Sequence, residues 1–81
     1  YRDASIIFKT LDFVRKNIKK KTAEEVKKKA IELFNSGSLK LEYLEIVNQN
    51  TFEPYKNGEV DGACCIAAYC NGVRLIDNVL L

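Results

Sequence analysis

The sequence predicts an α+β domain in which a two-helix hairpin packs on a three-stranded antiparallel sheet, in the order α-α-β-β-β. Three features lead there. The N-terminal half repeats its apolar residues at a helical period, the C-terminal half breaks into short β-rich runs, and Asn71-Gly72 separates the last two of these. Helices first and strands afterwards give two layers with an antiparallel sheet.

The first helix is expected from Asp3 to about Lys20. Ile7, Leu11, Val14 and Ile18 recur at intervals of four, three and four, which lines one helical face. Phe8 and Phe13 broaden or flank that stripe, and the lysines of the last turn suit the negative end of the helix dipole. Thr22 is the expected cap of the second helix, with Glu25 completing a T-x-x-E capping box. Val26, Ala30, Leu33 and Phe34 supply its buried face. Gly37 is expected in the left-handed position just past the helix end.

The period then changes. Leu39, Leu41, Tyr43, Leu44, Ile46 and Val47 alternate imperfectly with Lys40, Glu42 and Glu45, as in a strand whose inward parity the sequence leaves open. Asn48 to Gly62, with Asn48, Asn50, Thr51, Pro54, Asn57, Gly58 and Gly62, reads as a long connection. Ala63 to Cys70 is an apolar strand, Asn71-Gly72 the turn, and Val73 to Leu80 the partner strand.

Composition narrows the function. The 81 residues are 47% hydrophobic and 30% charged, as in a globular domain with one thin core. Histidine is absent, which removes the imidazole base and the Ser-His and Cys-His nucleophile pairs. A net charge of +2 demands neither nucleic acid nor a membrane as partner, and no run approaches the ~20 apolar residues of a membrane span. No signal segment opens the chain, so a cytoplasmic location is expected. The chain begins at Tyr1 and holds no Met, which suggests a piece of a longer polypeptide.

Three groups invite chemistry and support little. On a strand Cys64 and Cys65 point to opposite faces, while Cys64 and Cys70 share a face but stand about 20 Å apart at ~3.3 Å per residue. They read as reduced small hydrophobes, without the ligand set of a zinc site. Lys19-Lys20-Lys21 and Lys27-Lys28-Lys29 read as a solvated helix–helix corner, since no aromatic residues interleave with them. Glu53, Glu59, Asp61 and Asp77 belong to turns and a wet sheet face. On the last strand Arg74 and Asn78 share parity and Asp77 does not; together they read as an edge turned towards another domain.

The tail Arg74-Leu75-Ile76-Asp77-Asn78, behind the alanine-rich Ile66-Ala67-Ala68 strand, has a specific relative. With Leu41-Glu42-Tyr43-Leu44-Glu45-Ile46-Val47 and Thr51-Phe52-Glu53-Pro54, it resembles the C-terminal domain of the pantothenate synthetase (pantoate–β-alanine ligase) family. That domain typically reads D-Y-L/V-E-I/V, T-L-x-P and R-L-I-D-N, and Phe52 stands here for the leucine. Arg2, Ala4 and Leu11 fit a looser R-x-x-A…L pattern.

The resemblance implies that residues 1–81 are a single C-terminal lid domain of a ligase that joins pantoate to β-alanine. The reaction uses ATP, passes through pantoyl-adenylate and releases AMP and pyrophosphate in coenzyme A biosynthesis. It further implies a Rossmann-like N-terminal partner domain carrying the histidines, the nucleotide site and its magnesium, and a homodimeric parent. No catalytic, nucleotide-binding or metal-binding residue carries over to this chain, which is expected to be inactive alone. Two other readings stand beside this one: a free-standing protein–protein interaction module, and a small RNA-binding domain using the lysine clusters.

Overall fold

The computed structural model describes residues 5–81, so the expected helix start at Asp3, with Arg2 and Ala4 of the family pattern, lies outside the described residues. Five elements follow in the expected order: α1 (Ser5–Asn17), α2 (Ala23–Asn35), β1 (Lys40–Asn48), β2 (Gly62–Cys70) and β3 (Val73–Leu80). The strands form one antiparallel sheet, ordered β1-β2-β3. Both helices lie on the same face of it and enclose the core.

Along α1 the expected stripe of Ile7, Leu11 and Val14 is buried, with Ile18 just beyond the helix. Thr10 is buried among them, and its hydroxyl donates to the Ile6 carbonyl at 2.7 Å, which satisfies the one polar group on that face. Phe8 does not broaden the stripe; it is 70% exposed. The helix also stops short of Lys20. Lys20 and Lys21 both donate their amides to the Asn17 carbonyl, at 2.9 and 3.1 Å, and this tight turn ends the α-helical ladder.

Thr22 caps α2 as expected, its hydroxyl accepting the Glu25 amide at 3.3 Å and donating to Glu25 Oε1 at 3.2 Å. Val26, Ala30 and Phe34 are buried, while Leu33 is only half-buried. The helix end corrects the reading of Gly37. Ser36 closes α2 in a right-handed conformation and Gly37 is not left-handed. Its lack of a side chain serves packing instead, because a Cβ there would meet Ile6 Cγ1 at 3.2 Å.

The open parity of β1 has a structural cause. The pairing of β1 with β2 shifts between Leu41 and Tyr43, so Glu42 is an extra residue in a β-bulge. Leu39 and Leu41 face the helices before it, and Leu44 and Ile46 after it. In β2, Cys64, Ile66, Ala68 and Cys70 join the core. The β2–β3 turn is as expected, with Asn71 at φ 51° and Gly72 at φ 82°.

The long connection is more ordered than its composition suggests. Asn48 Oδ1 accepts the amides of Asn50 and Thr51, Phe52 takes φ 62°, and Pro54 then bridges back to Val47. Tyr55 follows into the core, donating its hydroxyl to the Glu59 carbonyl at 2.9 Å. Its ring lies where a Cβ on Gly62 would be, 2.6 Å away, so β2 begins on a residue with no side chain.

Candidate functional site

The face of the sheet turned away from the helices is the surface that the fold leaves uncovered. Cross-strand rows run over it: Tyr43–Ala67–Ile76, Glu45–Cys65–Asn78 and Val47–Ala63–Leu80. Their centre is small and their sides are large. Ala67 is fully buried without belonging to the core, shielded by its row neighbours, while Ile76 is 58% and Leu80 63% exposed. The result is a shallow trough along β2, apolar in the Tyr43 and Val47 rows and flanked by Glu45 and Asn78 in the middle one, where Cys65 is partly open.

The bulge places Glu42 at one end of this trough. Arg74 reaches across β2 to it, donating Nε to Oε1 at 3.1 Å and Nη2 to Oε2 at 2.9 Å. This fork holds the carboxyl of Glu42 below its ordinary value, assisted by a hydrogen bond from Tyr69. The same contacts raise the pKa of Arg74 and of Tyr69. Arg74 thus clamps the sheet across three strands.

The three residues singled out on the last strand lie on both faces of the sheet, with Asp77 and Asn78 adjoining one cleft. Arg74 and Asn78 lie on the open face, four residues apart, whereas Asp77 pairs opposite Ile66 on the helix side. There it borders a cleft of about 320 Å³ between α1 and β3, whose lining also takes in Phe8, Leu11, Asp12, Arg15, Val79 and part of Asn78. Its Oδ1 accepts the Asn78 amide at 2.8 Å. Leu81 bonds back to Gly62 at 2.9 Å, so odd-numbered amides of this strand face β2 and even-numbered ones face outwards. Asp77 therefore satisfies one amide of an edge that no other described strand pairs with.

Elsewhere the described residues offer little for catalysis. Cys64 is sealed in the core, where burial, then its neighbours Cys65 and Glu45, push its thiol up to about 12. Such a thiol is a poor nucleophile. Among the described residues no three His, Cys, Asp or Glu side chains gather into a metal-binding group. No described helix is long and apolar enough to cross a membrane. The residues that sequence reasoning missed are Glu42 and Tyr69; only the imperfect alternation around Glu42 signalled them.

Fold and surface together define a two-layer α+β module with one sheet face left open. The family described as pantoate-beta-alanine ligase matches residues 1–80, and the chain belongs to that family. It is 40% identical to a bifunctional pantoate ligase/cytidylate kinase of Trichodesmium erythraeum over 96% of this chain and 16% of that protein. It is 37% identical to a pantothenate synthetase of Cytophaga hutchinsonii, over 96% of this chain and 29% of the relative. The crystal structure of pantothenate synthetase from Thermus thermophilus superposes with a TM-score of 0.86 at 21% identity, covering 96% of this chain and 29% of that one. The chain thus spans less than a third of these relatives' length.

Proposed function

We propose that this chain is the C-terminal accessory domain of an AMP-forming ligase that condenses pantoate with β-alanine. The observation that carries the reading is the family match across residues 1–80, on a chain less than a third as long as its relatives. On this reading the parent is a cytoplasmic homodimer that makes pantothenate. ATP and its magnesium are held by an N-terminal nucleotide-binding domain, and this chain supplies no reacting group.

Its contribution is closure. An acyl-adenylate hydrolyses when water reaches it, and a lid that excludes water protects the intermediate until the amine attacks. The trough between Tyr43 and Ile76 is suited to docking on the parent: Ile76 and Leu80 stand exposed along it, and Arg74 pairs with Glu42 at one end. Arg74 and Asn78 then lie on the interdomain face, with Asp77 at its margin.

The test compares the intact parent with a version lacking residues 1–81, following AMP release and pantothenate formation. Pantothenate made by the intact protein, with AMP release uncoupled or lost on deletion and no activity in the isolated chain, supports the reading. A properly folded parent that makes no pantothenate from pantoate, β-alanine and ATP overturns it.

A further inference from the structure

Among the described residues, two that are not glycine take a left-handed backbone, Asn71 at φ 51° and Phe52 at φ 62°. Asn71 sits in a two-residue hairpin turn that requires this conformation, and asparagine tolerates it. Nothing comparable favours Phe52. In the left-handed region its Cβ crowds the carbonyl oxygen that follows, a strain that glycine escapes. The fold gives nothing back for it: the side chain is 75% exposed and lies outside the core cluster.

The surrounding loop enforces the conformation. The Asn48 carbonyl accepts the Phe52 amide at 2.8 Å, and the Asn48 amide donates to the Glu53 carbonyl at 2.8 Å. Asn48 Oδ1 holds the amides of Asn50 and Thr51 at 2.8 and 3.1 Å, and the Thr51 hydroxyl accepts that of Glu53 at 3.2 Å. Pro54 then bridges to Val47, and Tyr55 donates its amide to the Ile46 carbonyl at 3.0 Å. Residues on both sides of Phe52 are thus fastened to the end of β1. Strain of this kind persists only where its surroundings over-determine it, and it gathers at sites of function.

We propose that Phe52 is an anchor that inserts into an apolar pocket of the parent's larger domain and fixes how this domain closes on it. A phenyl ring carries neither charge nor a hydrogen-bonding group, so the surface it fits is apolar. The place of the loop names the neighbour. The loop is tied to Asn48, the residue after Val47, and Pro54 bridges to Val47 itself, so it continues the trough from its Val47–Ala63–Leu80 row. The chain spans less than a third of its relatives' length, and the domain that the trough meets is the one within reach of the loop. The inference rests on the reading of this chain as one domain of a longer ligase.

The experiment has two arms. The chain contains no Trp, so Phe52→Trp places a single fluorescent reporter on the loop. Acrylamide should quench it as an exposed indole in the isolated chain. In the intact parent with saturating pantoate and ATP, read against the unsubstituted parent, quenching should be at least threefold weaker. The second arm is Phe52→Asn, which accepts the left-handed backbone and removes the ring without the unfolded-state freedom that glycine adds. It should raise the melting temperature of the isolated chain by about 2–5 °C. In the parent the same change should release at least threefold more AMP per pantothenate made, while Phe52→Leu keeps that ratio within twofold. A lower melting temperature for Phe52→Asn would mean that the ring supports its own fold, and overturns the anchor. Equal quenching in chain and parent overturns it too, whether or not the parent makes pantothenate, as does an unchanged ratio for Phe52→Asn in an active parent. Protection of the reporter in a parent that makes no pantothenate upholds the contact and removes the ligase reading instead.

Discussion

Cys64 shows how completely a short chain can seal one thiol while leaving its neighbour accessible. It is fully buried on the helix side of β2, and Cys65 faces the other way. Burial raises the Cys64 pKa from 9.0 to about 12, so the folded state holds this proton where the unfolded chain releases it. A raised acid pKa contributes stability that is intact below the unfolded value and is lost as pH rises through the folded one. Between pH 9 and 12 this thiol should therefore remove up to about 1.4 kcal/mol per pH unit. Urea unfolding of the chain at pH 8, 9.5 and 10.5, compared with Cys64→Ala, isolates that slope from tyrosine and lysine titration. Parallel pH dependences in the two proteins would show that the thiol ionises without opening the fold.

At the scale of elements, stability depends on ends as much as on faces. The start of α2 is held by Thr22 and by Asn57, which reaches it across 34 residues of sequence. Losing the Thr22 hydroxyl by Thr22→Ala should cost about 1 kcal/mol. Asn57→Ala should cost a similar amount by freeing the Ala23 amide, and should also loosen the long connection that carries Tyr55. Thermal melts and amide exchange at Lys56 to Gly58 measure the two effects separately. An unchanged melt for both variants would mean that water replaces these caps at no cost.

The capping box was legible in the sequence because it is local, as were the helical stripe of α1 and the Asn71-Gly72 turn. The inward parity of β1 was not, since one extra residue at Glu42 switches the face, and only the pairing with β2 reveals it. Gly37 misled for a related reason: its small size answers Ile6 on the other helix, a contact that local sequence does not report. The Arg74–Glu42 clamp likewise joins residues 32 apart, and Tyr55 enters the core from a stretch whose composition reads only as a connection. Arg74, Asp77 and Asn78 read from the sequence as an edge turned towards another domain, and parity alone separates Asp77 from the other two, as in the register of β3.

For the whole molecule, the decisive asymmetry lies between the two faces of the sheet. One is covered by both helices; the other leaves Ile76 and Leu80 more than half exposed around a floor of small residues. Exposed branched side chains beside an edge whose Asn78 amide is satisfied by Asp77 favour association with other protein surface. If the trough docks on the parent ligase, Cys65 is a native reporter of that contact. A maleimide should label Cys65 readily in the isolated chain and at least tenfold more slowly in the intact parent. Ile76→Lys should restore labelling of the parent and raise wasteful AMP release. In the isolated chain the same change should leave the melting temperature within a few degrees, because Ile76 lies outside the core cluster. Equal labelling of isolated chain and parent, across all nucleotide and pantoate conditions, would remove this face from the interdomain contact. The cleft between α1 and β3, where Phe8 is exposed beside Asp77, would then be the next surface to probe in the same way.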